Sequence, residues 1–242
     1  RFDYMKARHA EWWKGFWGKS GITLYDEQIE LYWYAGIYAM ACCARNKKFP
    51  PGLWGNFATN DNMAWKGDYH LNYNYQAPFY ALVSSNHVEL MDCYEAPLDD
   101  YMPYAMYNAR SYLGCRGVYF PVGIGPLGLN TSCFTGSKEH GELFLGQKSD
   151  AAYCAVIMAM RWYGTRDVEY AKSQAYPFMC QVADFWEDYL VYEDGRYIIY
   201  NDAIHEVDFY QDENYMPKRH DEINPIVSVG MVKMTLRCLL DM

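Results

Sequence analysis

Asn72 and Asn74 stand two residues apart in WKGDYHLNYNYQAPFY (65–80), a stretch that also holds Asp68, His70, Gln76 and six aromatic rings. In an extended segment that spacing turns both amides to the same side. Two convergent amides offer donors and acceptors together, enough to hold one water or one sugar hydroxyl. The same residue types also satisfy the backbone of ordinary loops. Tyrosine and tryptophan join a broad apolar face to a polar edge, which suits concave sites for polar ligands; a tyrosine-rich core is their other use. With 25 Tyr and 8 Trp in 242 residues, both uses have material.

Three further stretches carry reactive side chains: PPGLWGN (50–56), GQKSDAA (146–152) and NDAIHE (201–206). Glu206 sits between Ile204 and Val207, and an apolar setting raises a carboxyl pKa towards the range of a general acid. The competing reading is a solvated loop glutamate, because Asp208, Asp212 and Glu213 follow closely. His205 is either a catalytic neighbour or a hydrogen-bonded loop histidine. Asp68 and Asp202 either bind a substrate hydroxyl or brace their loops.

Several chemistries are excluded by pattern. No GxSxG motif is present, and PVGIGPLGLN (121–130) lacks the GK[ST] ending of a phosphate loop. No CxxC or Cys/His ligand spacing appears, so a zinc site is not expected. A net charge of −9 without a Lys/Arg run argues against nucleic acid and anionic membranes as partners. The apolar run AAYCAVIMAM is too short to span a bilayer. Most of the eight cysteines lie in apolar helical stretches, although a Cys115–Cys133 bridge is conceivable. Asn130-Thr131-Ser132 fits the glycosylation pattern.

The elements that must position these residues read as helices. Ile29, Trp33, Ile37 and Ala41 repeat at i+4 after Asp26, the natural N-cap. Further helices are expected over 75–85 with Pro78 in the first turn, in two pieces over 88–113 broken near Pro97 and Pro103, and over 149–163 capped by Ser149. A long one over 167–192, interrupted around Pro177, and a last one over 225–242 complete the set. The best strand signal is YIIYN after the turn at Asp194-Gly195. Long loops are expected at 46–74, 114–147 and 194–224, and the four motifs lie in them or at helix starts, as functional residues often do. The expectation is an all-α fold of helix hairpins, with 1–242 as a single domain.

In this order and spacing the four stretches resemble the catalytic domain of glycoside hydrolase family 95, over nearly the whole chain from about Trp12 to Met242. The resemblance implies an (α/α)6 barrel, of which this chain supplies part; its C-terminal remainder, holding the catalytic base, is expected beyond Met242. It implies inverting hydrolysis of α-linked sugars such as α-L-fucosides or α-L-galactosides, a reaction that needs neither a metal nor an organic cofactor. Glu206 then matches the acid that protonates the leaving oxygen, and Asn72 and Asn74 match the pair that positions the attacking water. Trp54, Trp65, Tyr69, Tyr73 and Tyr75 would stack on or flank sugar rings. Asp68, His70, Gln76, Gln147, Lys148, Asp202 and His205 complete the expected substrate-binding set. Gln76 and Tyr80 replace the acidic residue and tryptophan usual in the family, and NDAIHE departs from its usual lead to the glutamate. The implied partner is a carbohydrate, and the expected location secreted or extracytoplasmic. A disaccharide phosphorylase and a non-catalytic carbohydrate-binding protein on the same barrel are the alternatives. Phosphorolysis needs a cationic pocket, and Lys148 and Lys66 are the only positive charges in the four stretches.

Overall fold

Asp26 starts the best-marked helix of the sequence: its carboxylate accepts hydrogen bonds from the backbone N–H groups of Gln28 and Ile29, at 3.0 and 3.1 Å. The computed structural model describes residues 1–58, 60–132, 147–200, 202 and 224–242. In it this helix, α2, spans Glu27–Cys43. It is preceded by α1, Phe2–Trp17, which the sequence reading does not anticipate. Phe16 is the one buried residue of α1, so the helix has no broad apolar stripe to betray it. Its rings hold it in place: Trp13 stacks on Tyr38, and Trp17 meets Tyr34 edge-on. Phe16 stacks on His87 with centroids 3.9 Å apart.

A 3-10 turn, Ala77–Phe79, then runs into α3, Tyr80–Ser84, with Pro78 in the first turn as expected. The two pieces expected over 88–113 are a 3-10 turn, Val88–Met91, and one long helix, α4, Ala96–Leu113. Pro103 does not break it. Its ring faces solvent, so water can serve the carbonyl it leaves unpaired, while Leu98, Tyr101, Ala105 and Ala109 anchor both halves in the core. Gly114 closes α4 in the left-handed conformation.

Helix α5, Asp150–Thr165, is buried along its length through Ala151, Ala152, Cys154, Ala155, Ile157, Met158 and Ala159. Ser149 takes the N-cap position without making the expected side-chain hydrogen bond. Small residues let α3, α7 and α8 close on it. At Gly164 a Cβ would lie 2.2 Å from a methyl of Val83. The expected long helix is α6, Val168–Tyr170, a π turn, Ala171–Ala175, and α7, Tyr176–Tyr189. Pro177 cannot donate to the carbonyl four residues back, and the wider turn lies immediately before it. The last helix, α8, is Ile226–Asp241.

Strands are minor. β1, Tyr69–His70, pairs with β2, Gly123–Ile124; β3, Val191–Glu193, pairs with β4, Arg196–Ile198, across Asp194 and Gly195, both at positive φ. The described chain is all-α, with these two ribbons as its only sheets. None of its helices is long and apolar enough to cross a membrane. Seven cysteines are free thiols, Cys115 among them, so no bridge holds that residue, and Cys133 lies outside the described residues.

Gly114 and Gly117 share a positive φ but not their surroundings. A Cβ at 114 meets nothing within 4 Å, whereas at 117 it would lie 2.1 Å from the Gln181 carbonyl oxygen on α7. Gly114→Ala should therefore cost about 1 kcal/mol, the left-handed penalty alone. Gly117→Ala should cost roughly 3 kcal/mol or more, because overpacking adds to it. Urea unfolding of the two variants checks the difference.

Candidate active site

The N-x-N segment follows β1 directly, and it is not extended. Tyr75 N–H donates to the His70 carbonyl, and Gln76 and Ala77 N–H both donate to Tyr73, so residues 71–76 form tight turns. The extended-spacing argument for a shared side fails there, because turning the chain separates the two amides in depth. Asn72 is buried at 1 % exposure, while Asn74 is half-buried.

The rings of this stretch divide by depth. Tyr75 and Tyr69 belong to the core, which corrects their expected role against sugar rings. Tyr75 stacks on Tyr94 at 5.0 Å and donates its hydroxyl to the Tyr94 carbonyl at 2.6 Å. Tyr69 lies against Tyr75, and burial raises its phenol to about 12. Trp54, Trp65 and Tyr73 keep exposed faces. Trp65 sits in the left-handed region at φ 49°, with its ring edge-on to His70 at 6.1 Å. Such backbone is unfavourable for a bulky residue and is held only by its surroundings.

Asp68 and His70 are both buried and joined: Asp68 Oδ1 lies 3.1 Å from His70 Nδ1. The Thr131 hydroxyl donates to Asp68 Oδ2 at 2.9 Å. The PPGLWGN stretch supports this pair from behind, with Leu53 N–H donating to the Asp68 carbonyl at 2.8 Å. Gly52 allows that approach, since a Cβ there would lie 2.5 Å from the Gly67 carbonyl oxygen.

A second polar cluster forms where α5 begins. Gln147, Lys148, Ser149 and Asp150 are all buried. Lys148 N–H donates to Asp202 Oδ1 at 2.8 Å, and the Ser228 hydroxyl donates to Asp202 Oδ2. The contacts found for Asp68 and Asp202 are thus of the bracing kind. Burial pushes the Lys148 ammonium down, against the pull of Asp202. Burial, then the neighbouring Asp202, pushes the Asp150 carboxyl well up. Gln147 Oε1 and Asp150 Oδ2 have no hydrogen-bond partner among the described residues.

Gln76 ties the N-x-N turn to α5. Its amide donates to the Leu71 carbonyl at 2.5 Å and reaches Cys154 Sγ, one turn into α5, at 3.5 Å. Glu206 and His205 lie outside the described residues. Sequence reasoning overlooked Thr131, Ser228 and Asp150. Thr131 and Ser132 were legible only as part of a glycosylation pattern, yet both are buried. Among the described residues no group of three His, Cys, Asp or Glu side chains is placed to hold a metal ion.

A carboxyl raised by burial favours the native state while protonated, and that advantage fades as pH climbs from the unfolded value of about 4 through the native one. Asp150→Asn, which has no proton to lose, should therefore gain melting temperature over the parent progressively as pH rises. Thermal unfolding between pH 4 and 9 checks the sign.

The family profile described as Glycosyl hydrolase family 95 catalytic domain matches residues 22–236. No curated protein sequence matches the chain. The profile runs from before α2 almost to the end of α8, so it takes in both polar clusters and the 201–206 motif. The chain therefore belongs to glycosyl hydrolase family 95, and the match is to the catalytic domain of that family.

Proposed function

We propose that this chain carries the acid and the water-holding amides of an inverting glycoside hydrolase acting on α-linked sugars, α-L-fucosides or α-L-galactosides of oligo- and polysaccharides. The observation that carries this reading is the buried Asn72, set two residues after the Asp68–His70 pair inside a domain of this family. An amide offers donors and an acceptor together, so an interior asparagine in this segment suits a site that orders water or a hydroxyl.

Glu206 is assigned as the general acid that protonates the leaving oxygen. Asn72 and Asn74 orient the water that attacks from the opposite face of the sugar, activated by the base that inversion requires. Inverting sites keep their two catalytic groups roughly 6.5–9.5 Å apart, which leaves room for that water. The amides supply orientation rather than proton transfer. His70 and the exposed faces of Trp65, Trp54 and Tyr73 are assigned to the sugar.

The phosphorylase alternative loses support from Lys148. That residue is buried, and burial disfavours the charged ammonium a phosphate would need.

Glu206→Gln should lower kcat on α-glycosides with poor leaving groups by about 10²–10⁴-fold while sparing binding. Unchanged turnover would remove the acid from the mechanism. Proton NMR of the first product anomer on an α-fucoside or α-galactoside tests stereochemistry, with the β-anomer expected. An initial α-anomer would mean retention. Asn72→Ala should lower kcat by roughly 10²-fold with little change in KM, because the water it orders is a reactant and not part of the sugar contact.

A further inference from the structure

Outside both polar clusters, one histidine stands between a hydroxyl and a carboxylate. His87 follows α3, and Ser20 lies in the segment that joins α1 to α2. His87 Nε2 is 3.1 Å from Ser20 Oγ, and its Nδ1 is 3.4 Å from Glu89 Oε1. An ionised carboxylate only accepts hydrogen bonds, so the Glu89 contact calls for the ring proton on Nδ1. Nε2 of the neutral ring is then an acceptor, and the Ser20 hydroxyl donates to it. Burial works against charge on Glu89, but the hydrogen bond from Lys19 Nζ at 2.6 Å outweighs it and holds the carboxyl below its usual range.

The ring is held flat. His87 is fully buried, and its imidazole lies on Phe16 with centroids 3.9 Å and planes 11° apart, while Trp17 meets it edge-on at 6.3 Å. Asn86, immediately before it, sits in the left-handed region at φ 58°. The Asn86 amide donates to the Lys19 carbonyl at 3.2 Å, which ties the backbone beside His87 to the backbone beside Ser20. Ser20 itself is half-buried and keeps part of its surface in solvent, whereas the base behind it is sealed.

Nucleophile, base and orienting acid are recognised by geometry and role, not by place in the sequence. No GxSxG elbow announces this group, because serine and histidine come from segments 67 residues apart. The missing elbow excludes the α/β-hydrolase setting of such a serine and not the constellation itself.

We propose that Ser20 and His87, with Glu89 as positioning residue, form a catalytic centre of their own that hydrolyses short-chain carboxylic esters. Ser20 Oγ attacks the ester carbonyl while His87 Nε2 takes its proton, and the alcohol leaves with that proton. Water then attacks the acyl-Ser20 carbonyl and gives a proton to His87. The carboxylic acid departs as Ser20 recovers that proton. Glu89 stays ionised throughout and steadies the imidazolium. The neighbouring rings already pack against the base, so a short acyl group is what a half-buried serine admits. No member of the group belongs to either polar cluster, and the proposal does not rest on the glycosidase reading.

The test is reaction of the whole chain with a fluorophosphonate probe and with 4-nitrophenyl acetate at pH 8. The probe should modify Ser20, as located by tandem mass spectrometry, and nitrophenolate should be released steadily above the buffer rate. Ser20→Ala should abolish both. A parent unlabelled at Ser20, or a Ser20→Ala variant that releases nitrophenolate at the parent rate, would overturn the proposal. His87→Gln should slow labelling and release by about 10²–10⁴-fold, and parent rates in a folded variant would also overturn it. Should His87→Gln fail to fold, Glu89→Gln decides, since that side chain is 43 % exposed. It should lower kcat on the ester roughly 10-fold or more with KM unchanged. An unchanged kcat would show that the carboxylate does not act through His87, and the triad would fall.

Discussion

The enclosure of α5 is the constraint on which the rest depends. A helix surrounded by α3, α7 and α8 needs small side chains, and Ala151, Ala152, Ala155, Ala159 and Gly164 supply them. Its first residues are then carried into the interior with whatever polarity they bear. Gln147, Lys148, Ser149 and Asp150 enter as a group, and the protein answers with Asp202, itself held by Ser228. Burial also decides protonation, since it opposes charge on both Lys148 and Asp150.

The N-x-N turn is built against that helix. Gln76 ties the turn to Cys154, and Tyr75 and Phe79 lock it into the core beside Tyr94. The proposed role of holding water needs a backbone that does not move, and this turn is fixed on both flanks. Ahead of it lies the β1–β2 ribbon with Asp68, His70 and Thr131, and behind it lies α3. Two polar clusters thus share one rigid support, and rigid support is what a site for a small, precisely oriented ligand requires.

Asp202 has a place in the same logic. It is the described residue nearest Glu206 in the sequence, and it is pinned to the start of α5 through Lys148 and to α8 through Ser228. The PPGLWGN motif likewise acts through backbone geometry, with Gly52 and Leu53 closing on residues 67 and 68. In NDAIHE the structural work falls to the Asp202 carboxylate, and in PPGLWGN to residues with no reactive group.

The sequence by itself determined the all-α class, the boundaries of α2, α5 and α8, the turn at Asp194-Gly195 and the stretches where polar residues gather. These follow from local rules: an N-cap aspartate, an i+4 stripe, a turn that needs positive φ. Only tertiary structure decided which rings are core and which face outward, since Tyr73 and Tyr75 stand in the same motif at opposite depths. It also decided that Pro103 stays within α4, that residues 71–76 turn rather than extend, and that Thr131 reaches Asp68 across 63 positions of chain. Those outcomes depend on packing and on the pairing of buried polar groups between distant segments, and neither is written in the neighbouring residues.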